Sequence, residues 1–525
     1  MSAGPGWLRD ALAVAACAAV ACGGRPSYWD SAPANVTTFG LNDAVALVDD
    51  ADHRVLMVTA GADQRVSTKP LAIGHGVISA TISPDGSQLF VLSAGDTDPL
   101  ARNAQSPSLT VIDGASLRET QYPMPDALAN LAVDPVSPPR WAIAYAGQAA
   151  TSFVQNPNEL VIFDLSQPAG AAPTSLTVRS FGGTPQRLTF TPALMLPGGA
   201  RRLLVVETDI DVTLLDLESP VQPMPQVTVR LTSGTTTTQV TPAGVVVDGF
   251  DPTNPNDARI ALRAADDRNV YTLTLGPTAG SQTAFTPTVN LTDVGGVPSD
   301  IAFVRTDSGL RVAALVPSTA KAVLVDPDTS ATTPVALSAA YANLSLVTDV
   351  VGGGGTDVAM LWNAGSASGS GVALWTLGNS VGQPYFSVEV LGISQAISSV
   401  QDVGSPNERL KILQAADGSG FFVLDLQSRL ASPLHTMSRA SLAVAPDGLR
   451  LWAFAQGQTA LSMIDFTTLS PVPLSTDLPI AAVYDVARSD GSGRSLVAIH
   501  QQGTVGATVF DATSPKRATA RSVPS

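Results

Sequence analysis

Cysteine is nearly absent from these 525 residues. The chain has two, Cys17 and Cys22, both ahead of residue 23. Beyond that point it has no thiol nucleophile, no thiolate ligand and no means of forming a disulfide, so its stability has to come from packing. Histidine is scarce too. His53, His75, His435 and His500 are the only four, and none stands at an H-x-x-x-H or H-x-E spacing from a partner, so no zinc site can be drawn from the sequence. Each reads as a surface or loop residue. Charged residues make up 14% of the chain, against roughly 25% in an average soluble protein. The balance is acidic, with a net charge of −15 and no basic stripe, which excludes nucleic acid as a partner because phosphates require clustered Lys and Arg.

Motifs of enzymatic chemistry are missing in the same way. There is no G-x-S-x-G elbow, and "GSASGSG" at 365–371 reads as a flexible loop. The glycine run Gly352 to Gly355 lacks the Lys-Ser/Thr of a phosphate loop and no helix pattern follows it. What the chain does have is 44 glycines, 39 prolines and 45% hydrophobic residues, a balance suited to many short strands and turns around a large core.

The first 22 residues have their own character. Arg9 precedes an apolar stretch from Ala11 to Ala21 that is too short to span a bilayer and suits the h-region of a signal peptide. The following "AVAC", with Gly23 and Gly24, resembles a bacterial lipobox, in which the cysteine becomes the lipidated mature N-terminus. Cys22 fits better than Cys17, which would leave a much shorter h-region. The match departs from the pattern at Ala19, where Leu is usual, and at Asp10 beside Arg9. A plain secretory signal cut nearby is the alternative. The resemblance implies export and a lipoprotein of the cell envelope on the outer membrane, attached to the membrane by acyl chains at Cys22, each buried methylene contributing ~0.8 kcal/mol. The expected layout is a signal peptide over 1–21, lipidated Cys22 with a flexible tether to residue 40, one β domain over 41–515 and a tail over 516–525.

The body of the chain repeats. "SATISPDGSQLFVLSAG" (79–95) and "SLAVAPDGLRLWAFAQG" (441–457) share one layout of an apolar strand, a Pro-Asp-Gly turn and a second alternating strand. Looser copies begin at residues 131, 188, 301 and 484. After each comes a strand closing on aspartate, at Asp113, Asp164, Asp216, Asp326, Asp425, Asp465 and Asp511. The gaps are 51, 52, 110, 99, 40 and 46 residues, and the two long ones each hold a matching strand without its aspartate, "NVYTLTLG" and "GVALWTLG". With a unit over 44–74 whose first strand is short or absent, ten repeat units result. A period of 40–55 residues with four short strands predicts an all-β fold, a single β-propeller of four-stranded antiparallel blades, about eight to ten in number. The combination "SPDGSQLFVLSAGD…SLTVIDGAS" resembles the YVTN-type surface-layer propeller repeat, over residues 44–513.

The repeated aspartates have two readings. They could ring a metal, or each could cap the turn after its strand by accepting backbone N–H bonds. The second is preferred, because positions spread around a ring cannot converge on one ion. No cofactor is predicted. "DGFDPTNPND" offers Asp248, Asp251, Asn254, Asn256 and Asp257, oxygen ligands of the kind Ca²⁺ takes, with a solvated turn as the alternative. The expected function is a monomeric, lipid-anchored binding or scaffold protein for a protein, peptide or glycan partner. The alternatives are a lactonase-like or quinone-dependent dehydrogenase-like propeller enzyme and a structural or adhesion protein of the surface.

Overall fold

The structure is a computed structural model describing residues 31–522, except 34–35, 62, 99, 101–103, 148–153, 169, 220, 222, 234–238, 249–257, 282, 348–357, 365–369, 381–382, 385–386, 438 and 514–520. Its strands form ten four-stranded antiparallel sheets. The ten blades span 37–72, 77–123, 130–177, 185–230, 242–293, 300–336, 343–389, 397–434, 440–475 and 482–522. In each, the four strands lie side by side in chain order. Two small hairpins are added, one pairing Leu194–Leu196 with Gly199–Arg201 inside blade 4 and one pairing Asn379–Ser380 with Gln383–Pro384 inside blade 7.

Burial follows strand position. In blade 2 the second and third strands, Gln88–Ser93 and Ser108–Asp113, are buried almost throughout, the first strand Val77–Ile82 is half-exposed, and the fourth, Arg118–Pro123, is mostly exposed. First strands approach the first strands of neighbouring blades, as inner strands around an axis do. The two middle strands are apolar at consecutive positions because both faces of the sheet are covered. Blade 1 shows the period of two. Val45, Leu47, Leu56 and Val58 pack against blade 10, while Ala46, Val48, Val55 and Met57 pack against blade 2.

Ten clusters of buried apolar side chains result, each shared by two consecutive blades, and the cluster of blades 10 and 1 closes the ring. Among the described residues no strand is exchanged between these two blades, and side chains and loop backbone make the closure. The Tyr484 hydroxyl donates to the Thr38 carbonyl at 2.9 Å, and Gln501 Nε2 donates to the Val36 carbonyl at 2.9 Å. The Ala487 amide reaches the Asn42 carbonyl at 2.7 Å. Gly40 is required here, since a Cβ at that position would run into the Tyr484 ring.

The sequence placed the first strand of the 44–74 unit as short or absent. It is present upstream, at Thr37–Gly40, within the stretch assigned to the tether. The last blade likewise takes its fourth strand, Arg521–Ser522, from the stretch assigned to the tail. The propensity signal failed at both ends because these edge strands are short and polar. The strands "NVYTLTLG" and "GVALWTLG" are the third strands of blades 5 and 7.

Tyr484 gives a test of closure. Tyr484→Phe removes only the hydroxyl bonds and is expected to cost about 1 kcal/mol. Tyr484→Ala also empties a packed site and is expected to cost about 3 kcal/mol or more. Urea unfolding of both variants measures the difference. Equal midpoints for the Ala variant and the parent would contradict the assigned closure.

Candidate functional site

A blade has two ends. At one lie the turns joining first to second and third to fourth strands; at the other lie the second-to-third connections and the links between blades. All seven repeat aspartates fall at the turn end, because each terminates a third strand or, for Asp326, directly follows it. Each accepts a backbone N–H two or three residues on. Asp113 accepts from Ser116 at 2.7 Å, Asp164 from Ser166 at 3.0 Å, Asp216 from Glu218 at 3.3 Å and Asp326 from Asp328 at 2.9 Å. Asp425 accepts from Gln427 at 2.9 Å, Asp465 from Thr467 at 2.7 Å and Asp511 from Thr513 at 2.8 Å. Five of them also stand beside an arginine of their own blade, Arg140, Arg201, Arg311, Arg409 and Arg488. These five carboxylates each face a guanidinium within 4.0 Å.

The Ser83-Pro84-Asp85-Gly86 turn does more than reverse the chain. Asn42 of blade 1 takes hold of it, its amide donating to the Gly86 carbonyl at 2.9 Å and its Nδ2 to the Asp85 carbonyl at 2.8 Å. On the other side the Ser137 hydroxyl of blade 3 donates to Asp85 Oδ2 at 2.6 Å. One turn thus joins three blades. Burial alone would push the Asp85 carboxyl up, but hydrogen bonds from Ser137, Ser83 and Ser87 outweigh it and bring it down to about 2. The Pro446-Asp447-Gly448 turn of blade 9 is held similarly, with Asn407 Nδ2 donating to the Gly448 carbonyl at 2.9 Å.

Of the cation ligands suggested by sequence, only Asp248 is described. It is buried at the end of the first strand of blade 5, whereas Asp251, Asn254, Asn256 and Asp257 lie outside the described residues, as does Cys22. No group of three metal-ligating side chains is found among the described residues.

Of the four histidines, His53, His75 and His435 lie in turns or loops as expected, and one does not. His500 is no surface residue. It is fully buried in the second strand of blade 10, with Nδ1 at 2.9 Å from the Pro479 carbonyl and Nε2 at 2.8 Å from the Thr508 hydroxyl. Desolvation pushes its pKa down, so the ring is held neutral. His53 and His75 stack with centroids 3.8 Å apart, and His75 Nδ1 lies 2.7 Å from Asp96 Oδ1. The three residues come from three separate connections at the loop end, which no linear spacing could reveal. A second charged group sits near the inner wall. Glu207, 2% exposed, lies 3.6 Å from Arg187, and burial pushes its carboxyl up against the opposing fields of Arg187 and Arg263.

Two cavities recess the channel wall on either side of the first strand of blade 8, Ile397–Asp402, the most exposed of the inner strands. One, of about 270 Å³, is lined by Ser345, Leu346, Trp362 and Val400, and the other, of about 250 Å³, by Gln401, Gln414, Phe421 and Ser441. A third, of about 330 Å³, lies at the turn end of blade 3.

No family model matches the chain, and no curated protein matches it. Among solved structures it is similar to the WD40 domain of SCAP from fission yeast, at 12% identity over 83% of this chain and 91% of that chain, with a TM-score of 0.40. It is also similar to the dihydro-heme d1 dehydrogenase NirN in complex with DHE, at 13% identity over 86% and 76%, with a TM-score of 0.39. Apo AztD from Citrobacter koseri matches at 8% identity over 86% and 88%, with a TM-score of 0.32. At this level the likeness adds nothing to the ring of four-stranded sheets already described. The class that the sheets define is the ten-bladed β-propeller.

The Asp85 carboxyl yields a pH prediction. Its folded pKa lies below the unfolded value, so its contribution to stability is present above about 4 and is lost as the pH falls toward about 2. Asp85→Asn is expected to lower the urea midpoint at pH 7, with the gap to the parent narrowing below pH 4. A gap unchanged between pH 5 and pH 2 would contradict this role.

Proposed function

We propose that the chain is a lipid-anchored propeller of the bacterial envelope that binds or scaffolds a protein, peptide or glycan partner. The observation that carries this reading is the inner wall. Ten first strands each leave one backbone edge outside their sheet, and their residues are mostly Ser, Thr, Ala, Val and Leu, half-exposed along much of their length. Such a wall offers hydrogen-bonding edges and shallow apolar recesses while presenting few charges, which suits contact with a polymer better than charge-driven chemistry. The anchor rests on the lipobox-like "AVAC" ending at Cys22.

A second reading, as an enzyme, is favoured by one observation, the stacked His53 and His75 with Asp96 at hydrogen-bond distance. A carboxylate that orients an imidazole is the beginning of a general base. Turnover of any lactone or ester that is abolished in His75→Ala while the fold is kept would support it over binding.

Two measurements test the primary reading. Radiolabelled palmitate is expected to enter the parent protein and not Cys22→Ser, and the variant is expected to leave the membrane fraction. A variant that remains equally membrane-bound would sink the anchor. Affinity capture from solubilised envelope is expected to recover a partner saturably, and capture that cannot be saturated or competed by free protein would count against a binding role.

A further inference from the structure

Of the ten first strands that wall the channel, two carry a cation, Arg187 on blade 4 and Arg305 on blade 6. Arg187 does not stand alone. Its Nη1 donates at 3.2 Å to the carbonyl of Ala243 on the first strand of blade 5, while its side chain stays 57% exposed. Ala243 has no partner in the ladder, because the register shifts between Pro242 and Gly244. A second guanidinium reaches this point from the other side of the strand. Arg263 lies on the second strand of blade 5, opposite Gly244 in register. Its neighbours Leu262 and Ala264 pack toward blade 4, so its own side chain leaves on the face toward blade 6. From there it runs inward across the glycine, where a Cβ at position 244 would stand 3.0 Å from Nε and 3.4 Å from Cγ. The missing side chain of Gly244 thus lets Arg263 pass over the innermost strand toward the channel, and the residue is half-buried rather than enclosed.

The donors of these two groups are largely unspent. Arg263 makes no hydrogen bond and no ion pair within 4.0 Å among the described residues, although a guanidinium carries five N–H donors. The carboxylates nearby are set back or occupied. Glu207, 2% exposed, lies behind Arg187 at 3.6 Å, and Asp300 accepts the Ile301 amide at 2.9 Å and the Leu344 amide at 2.8 Å. Burial pulls the Arg263 pKa down, against the field of Asp300 and with that of Arg187, so the guanidinium gains from an anion brought beside it. A carboxylate suits it best, because two coplanar oxygens match the paired N–H groups of the fork. The charge balance selects a single negative charge, since two guanidinia share the site with two recessed carboxylates and leave little field to hold a second. We propose that the start of the first strand of blade 5, at the loop end of the channel, is a binding site for a small monocarboxylate held by Arg263 and Arg187. The inference goes beyond the binding role above, because it assigns a charged ligand to a stretch of wall which that role does not use.

Ligand-observed saturation-transfer NMR on the full chain tests it with four probes that share one ring and differ in their head group, namely benzoate, benzamide, benzylammonium and phenyl phosphate. Benzoate is expected to bind saturably with a dissociation constant of about a millimolar or less, about tenfold or more tighter than each of the others. Arg263→Gln and Arg187→Gln are each expected to weaken benzoate about tenfold. Arg409→Gln, at the turn end of blade 8, is expected to leave it unchanged. Melting curves check that each variant is folded, and if Arg263→Gln is not, Arg263→Lys, which keeps the charge and loses the fork, takes its place with the same expectation. No saturable benzoate binding, equal binding of benzoate and benzamide, tighter binding of phenyl phosphate, or binding unchanged in either arginine variant at blades 4 and 5 would each overturn the proposal. The titration uses purified protein and small probes, so its failure is separate from failure of the membrane anchor or of partner capture.

Discussion

The fold depends on covering both faces of every blade. A four-stranded sheet of these sequences is apolar on two sides, and a sheet with two apolar faces is not stable alone in water. Each blade therefore needs two neighbours, and a row of such blades has two unsatisfied ends unless it closes. The packing of Val45, Leu47, Leu56 and Val58 on Val486, Val497, Ile499 and Val509 removes those ends. Everything else, the channel, the turn end and the loop end, follows from that closure.

Packing alone leaves blades free to slide, because apolar contact is not directional. The turns supply direction. Asn42 bonded to the Asp85–Gly86 turn, Ser137 bonded to Asp85, and Asn407 bonded to Gly448 tie consecutive blades in register at one end of the ring. At that end Asp134 of blade 3 is fully buried and accepts both terminal nitrogens of Arg202 from blade 4. Burial would raise this carboxyl, yet the guanidinium and the Val136 and Arg140 amides hold it below the usual carboxylate range. The Arg202 amide also donates to Glu218 at 2.9 Å, so the residues that align blades 3 and 4 hold one another in place.

Much of the fold was legible in the sequence. The Pro-Asp-Gly turns and the strand-ending aspartates repeat at the blade period, and two strands that lack the aspartate stand at the midpoints of the long gaps, so the count of ten could be made from spacing. The short edge strands Thr37–Gly40 and Arg521–Ser522 escaped because they carry no apolar run, and pairing defines them. His500 escaped because a histidine within "SLVAIHQQG" has no neighbour in sequence to reveal Pro479 and Thr508 as its partners. The sites escaped for the same reason. His53, His75 and Asp96 meet across three connections, and the cavity at the turn end of blade 3 is lined from two blades. Propeller sites are assembled between repeats, while sequence signals lie within them.

Closure of the ten blades into one ring is the central claim, and a crosslink reads it directly. With Cys17 and Cys22 replaced by Ser, Val36→Cys and Gln501→Cys put one thiol on each side of the junction between blades 1 and 10, where Gln501 now bonds the Val36 carbonyl. A short bis-maleimide is expected to join them within one chain, giving a monomer whose mobility shifts and whose ends stay linked after proteolysis between blades. A monomer that stays unlinked, or crosslinking only between chains, would contradict a single closed ring.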